Sequence, residues 1–389
     1  MTEIFDQDVD RSGTSSLKHD ARKAVFGTED IIPLWVADMD LAAPEAVTEA
    51  LIQRATHPVY GYTMYPDSMF KAMQDWFKLR HHWSIEKKSI LMCPGVVPSM
   101  HAAIEALSEP GDGVIIQPPI YPPFFSAITE TQRKLIENPL KLENGKYSID
   151  FEHLEQCAAS GAKILLLCSP HNPTGRVWLK HELEGILDIA RRYDLTIISD
   201  EIHADLIYPD YQHIPLATLA EDISIVTAVS PSKTFNIPGL GLSCLVTNRR
   251  EDWQAIKKIF DSWHVQASNP FSITAFEAAY RDGEQWLDDL MDYLNETRRQ
   301  VGEFVDTKLP NITMIDSQGT YLLWLDCREL GLTDDELKSF FINKAKVGMN
   351  PGISFGSSGS GFMRMNIAAP RKVIMDACHS IEQALKSGI

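Results

Sequence analysis

No stretch of this chain approaches the roughly 20 consecutive apolar residues that a membrane-spanning helix needs. The opening residues, Met-Thr-Glu-Ile-Phe-Asp-Gln-Asp-Val-Asp (1–10), are acidic where a secretory leader would be apolar. The expectation is a cytoplasmic protein with no membrane partner. Cysteine is scarce: six in 389 residues (Cys93, Cys157, Cys168, Cys244, Cys327, Cys378), scattered without a Cys-x-x-Cys pair. That spacing excludes a disulfide framework and a zinc ribbon, and leaves buried reduced thiols. Histidine offers no ligand spacing either. His81 and His82 are adjacent, and His181-Glu182 lacks the second histidine of a zinc-protease motif, so no metal is expected. Positive charge is also short, with 36 Lys and Arg against 53 Asp and Glu and a net charge of −17. A nucleic-acid surface needs concentrated positive charge, so that partner is excluded and small polar substrates remain. Finally, Gly239-Leu-Gly241 precedes an apolar run instead of leading from one into a helix, which argues against a dinucleotide fold.

What is present is apolar matter, 44% of the chain, without repeats or low-complexity tracts. This suffices for a large domain plus a smaller one. Helices are expected from Pro44 through Arg54, over 66–83, where Met69, Met73, Trp76, Phe77 and Trp83 recur at helical spacing, and from Ser99 to Leu107. A short strand is expected at 114–117. Between 150 and 250 the pattern alternates: strand 164–168, helix 179–193, strands 195–200, 224–229 and 242–247. Runs of Val, Ile and Leu with no polar alternation suit strands buried on both faces, hence a mostly parallel sheet covered by helices. The last hundred residues change character, with a helix near 284–308, a strand at 321–326, a helix near 333–346, a Gly-rich loop, a strand about Arg364 and a terminal helix. We divide the chain into a segment 1–45 that joins the smaller unit, a large unit 46–283 and a small α+β unit 284–389.

Three strand ends carry functional groups in sequence: Asn172 after 164–168, Asp200 ending 195–200, and Lys233 in Ala-Val-Ser-Pro-Ser-Lys-Thr-Phe (228–235). Open α/β sheets place ligands beyond the carboxyl ends of their strands, so an amide, a carboxylate and an amine converge. Pyridoxal 5′-phosphate (PLP) fits that set: its aldehyde takes a lysine amine, its ring nitrogen an aspartate, its phosphate hydroxyl and backbone donors. The phosphate donors would be backbone N–H groups of Cys-Pro-Gly-Val-Val-Pro-Ser-Met (93–100), which leads into the helix near Pro98, with the hydroxyls of Ser230 and Ser232. Tyr121, just past 114–117, would cover a flat ring, although without Lys233 packing among prolines would be the better account of it. Tyr62 has a weaker independent claim, since tyrosines beside glycine are common in turns. His203, on the exit from the Asp200 strand, would meet the cofactor's phenolic oxygen or serve as a satisfied core histidine. Arg364 interrupts an apolar strand, and its guanidinium fork matches a substrate carboxylate.

These residues resemble fold-type I PLP enzymes of the class I/II aminotransferase superfamily, and more closely the cystathionine β-lyase-like carbon–sulfur lyases of the MalY/PatB group. The marks span nearly the whole chain: Trp-Val-Ala-Asp-Met-Asp (35–40), Tyr-Gly-Tyr-Thr (60–63), Pro-Gly-Val-Val (94–97), Gln-Pro-Pro-Ile-Tyr-Pro-Pro-Phe (117–124), His-Asn-Pro-Thr-Gly-Arg-Val-Trp (171–178), Ser-Asp-Glu-Ile-His-Ala-Asp-Leu (199–206), Pro-Ser-Lys-Thr-Phe-Asn-Ile-Pro-Gly-Leu (231–240) and Gly-Phe-Met-Arg-Met-Asn (361–366). The resemblance implies a large domain with a mostly parallel seven-stranded sheet plus a smaller α+β domain. It implies Lys233, Tyr121 and Asp200 as catalytic residues, and a cofactor site of Tyr62, Gly95, Val96, Val97, Tyr121, Asn172, Asp200, His203, Ser230, Ser232 and Lys233. Val36, Ala37, Tyr62, Tyr121, Asn172 and Arg364 would meet the substrate. It also implies a homodimer with shared active sites, Tyr62 reaching the neighbour's phosphate.

Two departures matter. Many aminotransferases carry an arginine eight residues after the lysine, where this chain has Gly241, and some near relatives have a second tyrosine at Pro122. The implied reaction is α,β-elimination from an S-substituted L-cysteine, an amino-acid thioether, giving a thiol (homocysteine from cystathionine, sulfide from cysteine), pyruvate and ammonia. An aminotransferase is the first alternative and a regulatory binding protein of the same fold the second.

Overall fold

The computed structural model describes residues 2–388. Its main sheet has seven strands: β1 (Ile90–Cys93), β2 (Gly113–Ile116), β3 (Lys134–Glu137), β4 (Ala162–Cys168), β5 (Thr196–Asp200), β6 (Ile225–Val229) and β7 (Ser243–Thr247). They lie in the order β1-β7-β6-β5-β4-β2-β3. Four neighbouring pairs, from β3 to β6, are parallel, whereas β7 is antiparallel to both β6 and β1. The reversal has a local cause. After β6 the chain makes a four-residue helix, Pro231–Thr234, and a 3-10 turn, Pro238–Leu240, and re-enters from the end it left. A parallel return needs a crossover to the opposite end.

The unbroken apolar runs have their expected cause. Ile164, Leu166, Ile198, Val226 and Leu245 pack with Met100 and Ile104 on one face of the sheet. Leu165, Leu167, Ile197 and Ile225 pack with Ile186 and Leu187 on the other. Successive strand side chains point to opposite faces, so a strand covered on both sides cannot alternate apolar with polar. All six cysteines are buried and unpaired. No described helix is long and apolar enough to cross a membrane.

A second, antiparallel sheet is built from β8 (Thr313–Met314), β9 (Leu322–Asp326), β10 (Asn350–Pro351) and β11 (Phe362–Asn366), in the order β8-β9-β11-β10. Near it, Ile32–Pro33 pairs in parallel with Val347–Gly348. Several boundaries differ from expectation. The helix expected from Ser99 runs Val96–Leu107, because Pro98 falls in its first turn, where no intrahelical N–H is needed. Pro44 caps the helix Glu45–Ala55 instead of joining it. The helix expected near 333–346 is Asp334–Ser339, opened by the Thr333–Glu336 capping box, followed by a π-turn, Phe340–Lys344. The strand β1 and the helices Pro123–Glu130, Phe151–Ala159, Arg250–Trp263 and Pro270–Asp282 were not anticipated.

Candidate active site

The ends of β4, β5 and β6 are level, with Cys168 opposite Asp200 and Asp200 opposite Ala228. A cavity opens at this edge. Ala37, Gly95, Val96, Val97, Tyr121, Asn172, Asp200, His203, Ser230, Ser232 and Lys233 line it, so of the expected site residues only Val36, Tyr62 and Arg364 stand outside its wall. Cys168, Ile202, Pro238 and Leu242 line it as well and carried no chemical signal in the sequence; Gly241, where many aminotransferases carry an arginine, is also in the wall.

Lys233 rides on the short helix after β6, and its Nζ donates to the carbonyl of Ala37 at 2.6 Å. The turn behind it is fixed by Asp205, whose carboxylate accepts from Thr234 Oγ1 (2.8 Å), Trp76 Nε1 (3.0 Å) and His81 Nε2 (2.7 Å). Burial opposes charge on Asp205, yet these donors hold its carboxyl below the ordinary value. Burial, helped by Arg364, pushes the Lys233 amine down to about 8, against the opposite pull of Asp38 and Asp200. An amine so placed is available as a neutral base near physiological pH.

Asp200 is buried and accepts a hydrogen bond from the backbone N–H of Ile202 at 3.1 Å. Burial pushes its carboxyl up to about 7; Glu201 adds to the rise, while the Ile202 amide and Lys233 oppose it. Such an acid lacks a buried cationic partner, which a protonated ring nitrogen would supply. His203, also buried, is pushed down to about 3 by burial and then by Lys233 and Arg364, so its ring is neutral. Its Nδ1 has no protein partner.

At the anion end, Gly95 precedes the helix Val96–Leu107, which has no side-chain cap, so its first amides stay unsatisfied. Ser230 is less free than its position suggests. Its hydroxyl donates to Leu242 O (2.9 Å) and accepts from the Ser232 N–H (3.1 Å), capping the lysine helix.

Arg364 lies in β11, directly opposite Asn350 and Trp324. Its guanidinium donates to Asn172 Oδ1 (3.1 Å), Trp35 O (3.0 Å) and Asn350 Oδ1 (2.9 Å), leaving Nε buried without a partner. Burial lowers it to about 10, as expected of a cation with no carboxylate beside it. Tyr121 is partly buried, and burial raises its phenol. Val36 presents its carbonyl to Asn366 Nδ2 at 2.6 Å. Tyr62 is fully exposed and lies outside the cavity.

The donor set therefore fits PLP on the chain's own geometry: a reactive amine, a buried acid without a cation, an open helix start and an orphaned imidazole nitrogen. Sequence reasoning missed the supports of segment 35–41. Asp38 and Asp40 are gripped by Arg11 (2.7 and 2.6 Å), and Asp40 also by Lys18 (2.7 Å) and His19 (3.0 Å). No local motif marks such pairs, since the partners meet only in three dimensions.

Comparison with known proteins gives a consistent result. The family model for class I and II aminotransferases matches residues 29–381. The chain is similar to cystathionine beta-lyase PatB of Bacillus subtilis (strain 168), 39% identical over 98% of this chain and 99% of that protein. It is similar to protein MalY of Escherichia coli (strain K12), 34% identical with the same coverage. The crystal structure of cystalysin from Treponema denticola, which contains a pyridoxal 5′-phosphate cofactor, superposes with a TM-score of 0.96 at 37% identity over 98% of each chain.

Proposed function

The chain belongs to the class I and II aminotransferase family, in its PatB/MalY group, and from that premise we propose that it is a PLP-dependent carbon–sulfur β-lyase of the cystathionine β-lyase type. Its substrates are S-substituted L-cysteines, which leave as a thiol, pyruvate and ammonia at the expense of one water. Bound PLP supplies an electrophilic carbonyl for amines and an electron sink conjugated to the substrate's Cα. The chain's own residues do the rest. Lys233 anchors the cofactor and, once its amine is free and neutral, takes the proton from Cα. Asp200 would hold a proton at the ring nitrogen, and Asn172 and His203 would serve the phenolic oxygen. The amides of Val96 and Val97, with Ser232, would receive the phosphate. Tyr121 would cover the ring. Arg364, with Nε unengaged, clamps the substrate α-carboxylate and fixes which bond at Cα faces the lysine.

The observation that carries this reading is that the Lys233 amine and the buried acid Asp200 line one cavity, together with the uncapped start of the helix Val96–Leu107. The assembly is read as a cytoplasmic homodimer with shared sites. Supporting it, Val59, Tyr60, Tyr62 and Met64 are all exposed on one segment, an apolar surface of the kind that marks an interface. The same reading makes 46–283 the cofactor-holding unit and 284–389, joined by 1–45, the unit that brings Arg364. Purified enzyme given cystathionine, cysteine or S-alkyl cysteines, without any keto acid, should release pyruvate and ammonia in equal amounts. Turnover that requires a keto-acid acceptor would assign the aminotransferase reaction instead.

A further inference from the structure

Segment 35–39 lies between the lysine turn and the second sheet, and each of its carbonyls is received by a side chain. Trp35 O accepts from Arg364 (3.0 Å), and Val36 O and Asp38 O from Asn366 Nδ2 (2.6 and 2.7 Å). Met39 O accepts from Asn236 Nδ2 (3.1 Å) and Arg11 (3.2 Å). Ala37 O, at the centre, accepts two donors: Lys233 Nζ at 2.6 Å and Tyr321 Oη at 2.9 Å. Tyr321 is wholly buried, edge-on to His203 with ring centroids 6.1 Å apart, just ahead of β9. The reaction as argued above gives it no role.

We propose that Tyr321 is a positioning residue for the lysine base: by sharing the Ala37 carbonyl it aims that carbonyl at the amine and weakens its hold on the ammonium form. This deepens the lyase reading and rests on it. A carbonyl that divides its lone pairs between two donors binds each less strongly, and an ammonium gains more from a full acceptor than an amine does. Removing the tyrosine hydroxyl therefore favours protonated Lys233. Burial raises the Tyr321 phenol above its ordinary value, so it remains a donor throughout the working range. The charged and titratable groups that face the pair are Arg364, Asp38 and Asp200 around the lysine, with His203 and Tyr121 beside Tyr321. All of them persist when only the hydroxyl is removed.

The test is Tyr321→Phe in the full chain, with Tyr321→Met as a second carrier of the same loss. In the holoenzyme, the acid limb of kcat should move to higher pH by about half a unit, with KM little changed. Independently of turnover, the pH dependence of Lys233 acetylation by acetic anhydride is followed by mass spectrometry on the chain freed of cofactor. Its inflection should rise by the same amount, so that below the inflection the variant lysine labels about threefold more slowly. Identical labelling curves, or a downward shift, overturn the proposal even if activity falls, because a purely structural loss lowers kcat without moving the amine. If no thioether is turned over at all, the lyase reading fails while the labelling comparison still decides the role of Tyr321.

Discussion

Replacing Asp200 with asparagine should stabilise the cofactor-free chain while destroying the enzyme. Burial raises the carboxyl from 3.8 to about 7 in the folded chain. Between those values the unfolded chain has released the proton and the folded chain has not, so the unfolded state binds fewer protons and stability falls as pH rises. The window is about three pH units wide, and at about 1.4 kcal/mol for each the full penalty above pH 7 comes to about 4 kcal/mol, absent below pH 4. The Lys233 window lies higher, between about 8 and 10.5, and does not overlap. Urea unfolding of the cofactor-free chain, followed by tryptophan fluorescence from about pH 4 to about pH 8, should show wild type losing stability relative to Asp200→Asn, with the curves meeting at the acid end. With PLP bound the order reverses, because the aspartate then has its cation and the amide cannot hold a proton on the ring nitrogen. Equal stability of the two cofactor-free chains near pH 8 would refute the claim that the acid is buried without a partner.

Arg364→Ala removes a buried charged donor from the substrate carboxylate. Charged hydrogen bonds contribute about 1.5–3 kcal/mol, so KM for a cysteine thioether should rise about ten- to hundredfold, and an unchanged KM would end the assignment. Tyr62→Ala and Lys233→Ala chains should each be inactive as pure dimers, with Lys233→Ala also losing the visible band of bound cofactor. Coexpressed equally, half the dimers are mixed and each holds one intact site, which should restore about a quarter of the activity; no recovery would mean that Tyr62 serves its own chain. Arg176→Met strands Glu182, to which the buried Arg176 donates at 2.6 and 2.5 Å. Breaking a buried pair on one side costs about 3–5 kcal/mol, read as a fall in the unfolding midpoint, and a midpoint unmoved would show that water reaches Glu182.

The sheet was legible because burial on both faces leaves an unmistakable trace: β4, β5, β6 and β7 begin within one or two residues of the expected starts. The meeting of Asn172, Asp200 and Lys233 in one cavity was legible for a related reason, since strand ends fix where these residues lie. The reversal at β7 was not, because strand direction depends on where the connection re-enters, which composition does not record. Helices such as Arg250–Trp263 and Pro270–Asp282 went unread amid mixed polar and apolar residues. Ser230 was read as a phosphate donor from its hydroxyl alone, and only the Leu242 carbonyl, twelve residues on, reveals that its proton is engaged. Tyr321, Asn366 and Arg11 act through backbone carbonyls remote in sequence, a kind of contact that leaves no motif.

The opposed shifts of Asp200 and Lys233 share one cause. Burial disfavours charge of either sign, so it drives the acid up and the base down until both lean toward neutrality. Arg364, lowered by the same burial, is the third member of the set. A ligand that brings a protonated ring nitrogen to Asp200 and a carboxylate to Arg364 relieves two of these penalties at once, and leaves the lysine, whose hydrogen-bond acceptor is a neutral carbonyl shared with Tyr321, as the group still held toward neutrality. A carboxylate in place of the Ala37 carbonyl would hold the lysine as an ammonium and remove its capacity to take a proton. On the proposed reading of Lys233 as the base, the choice of a backbone acceptor at Ala37, and the side chains that fix it there, belong to the chemistry as much as the lysine does.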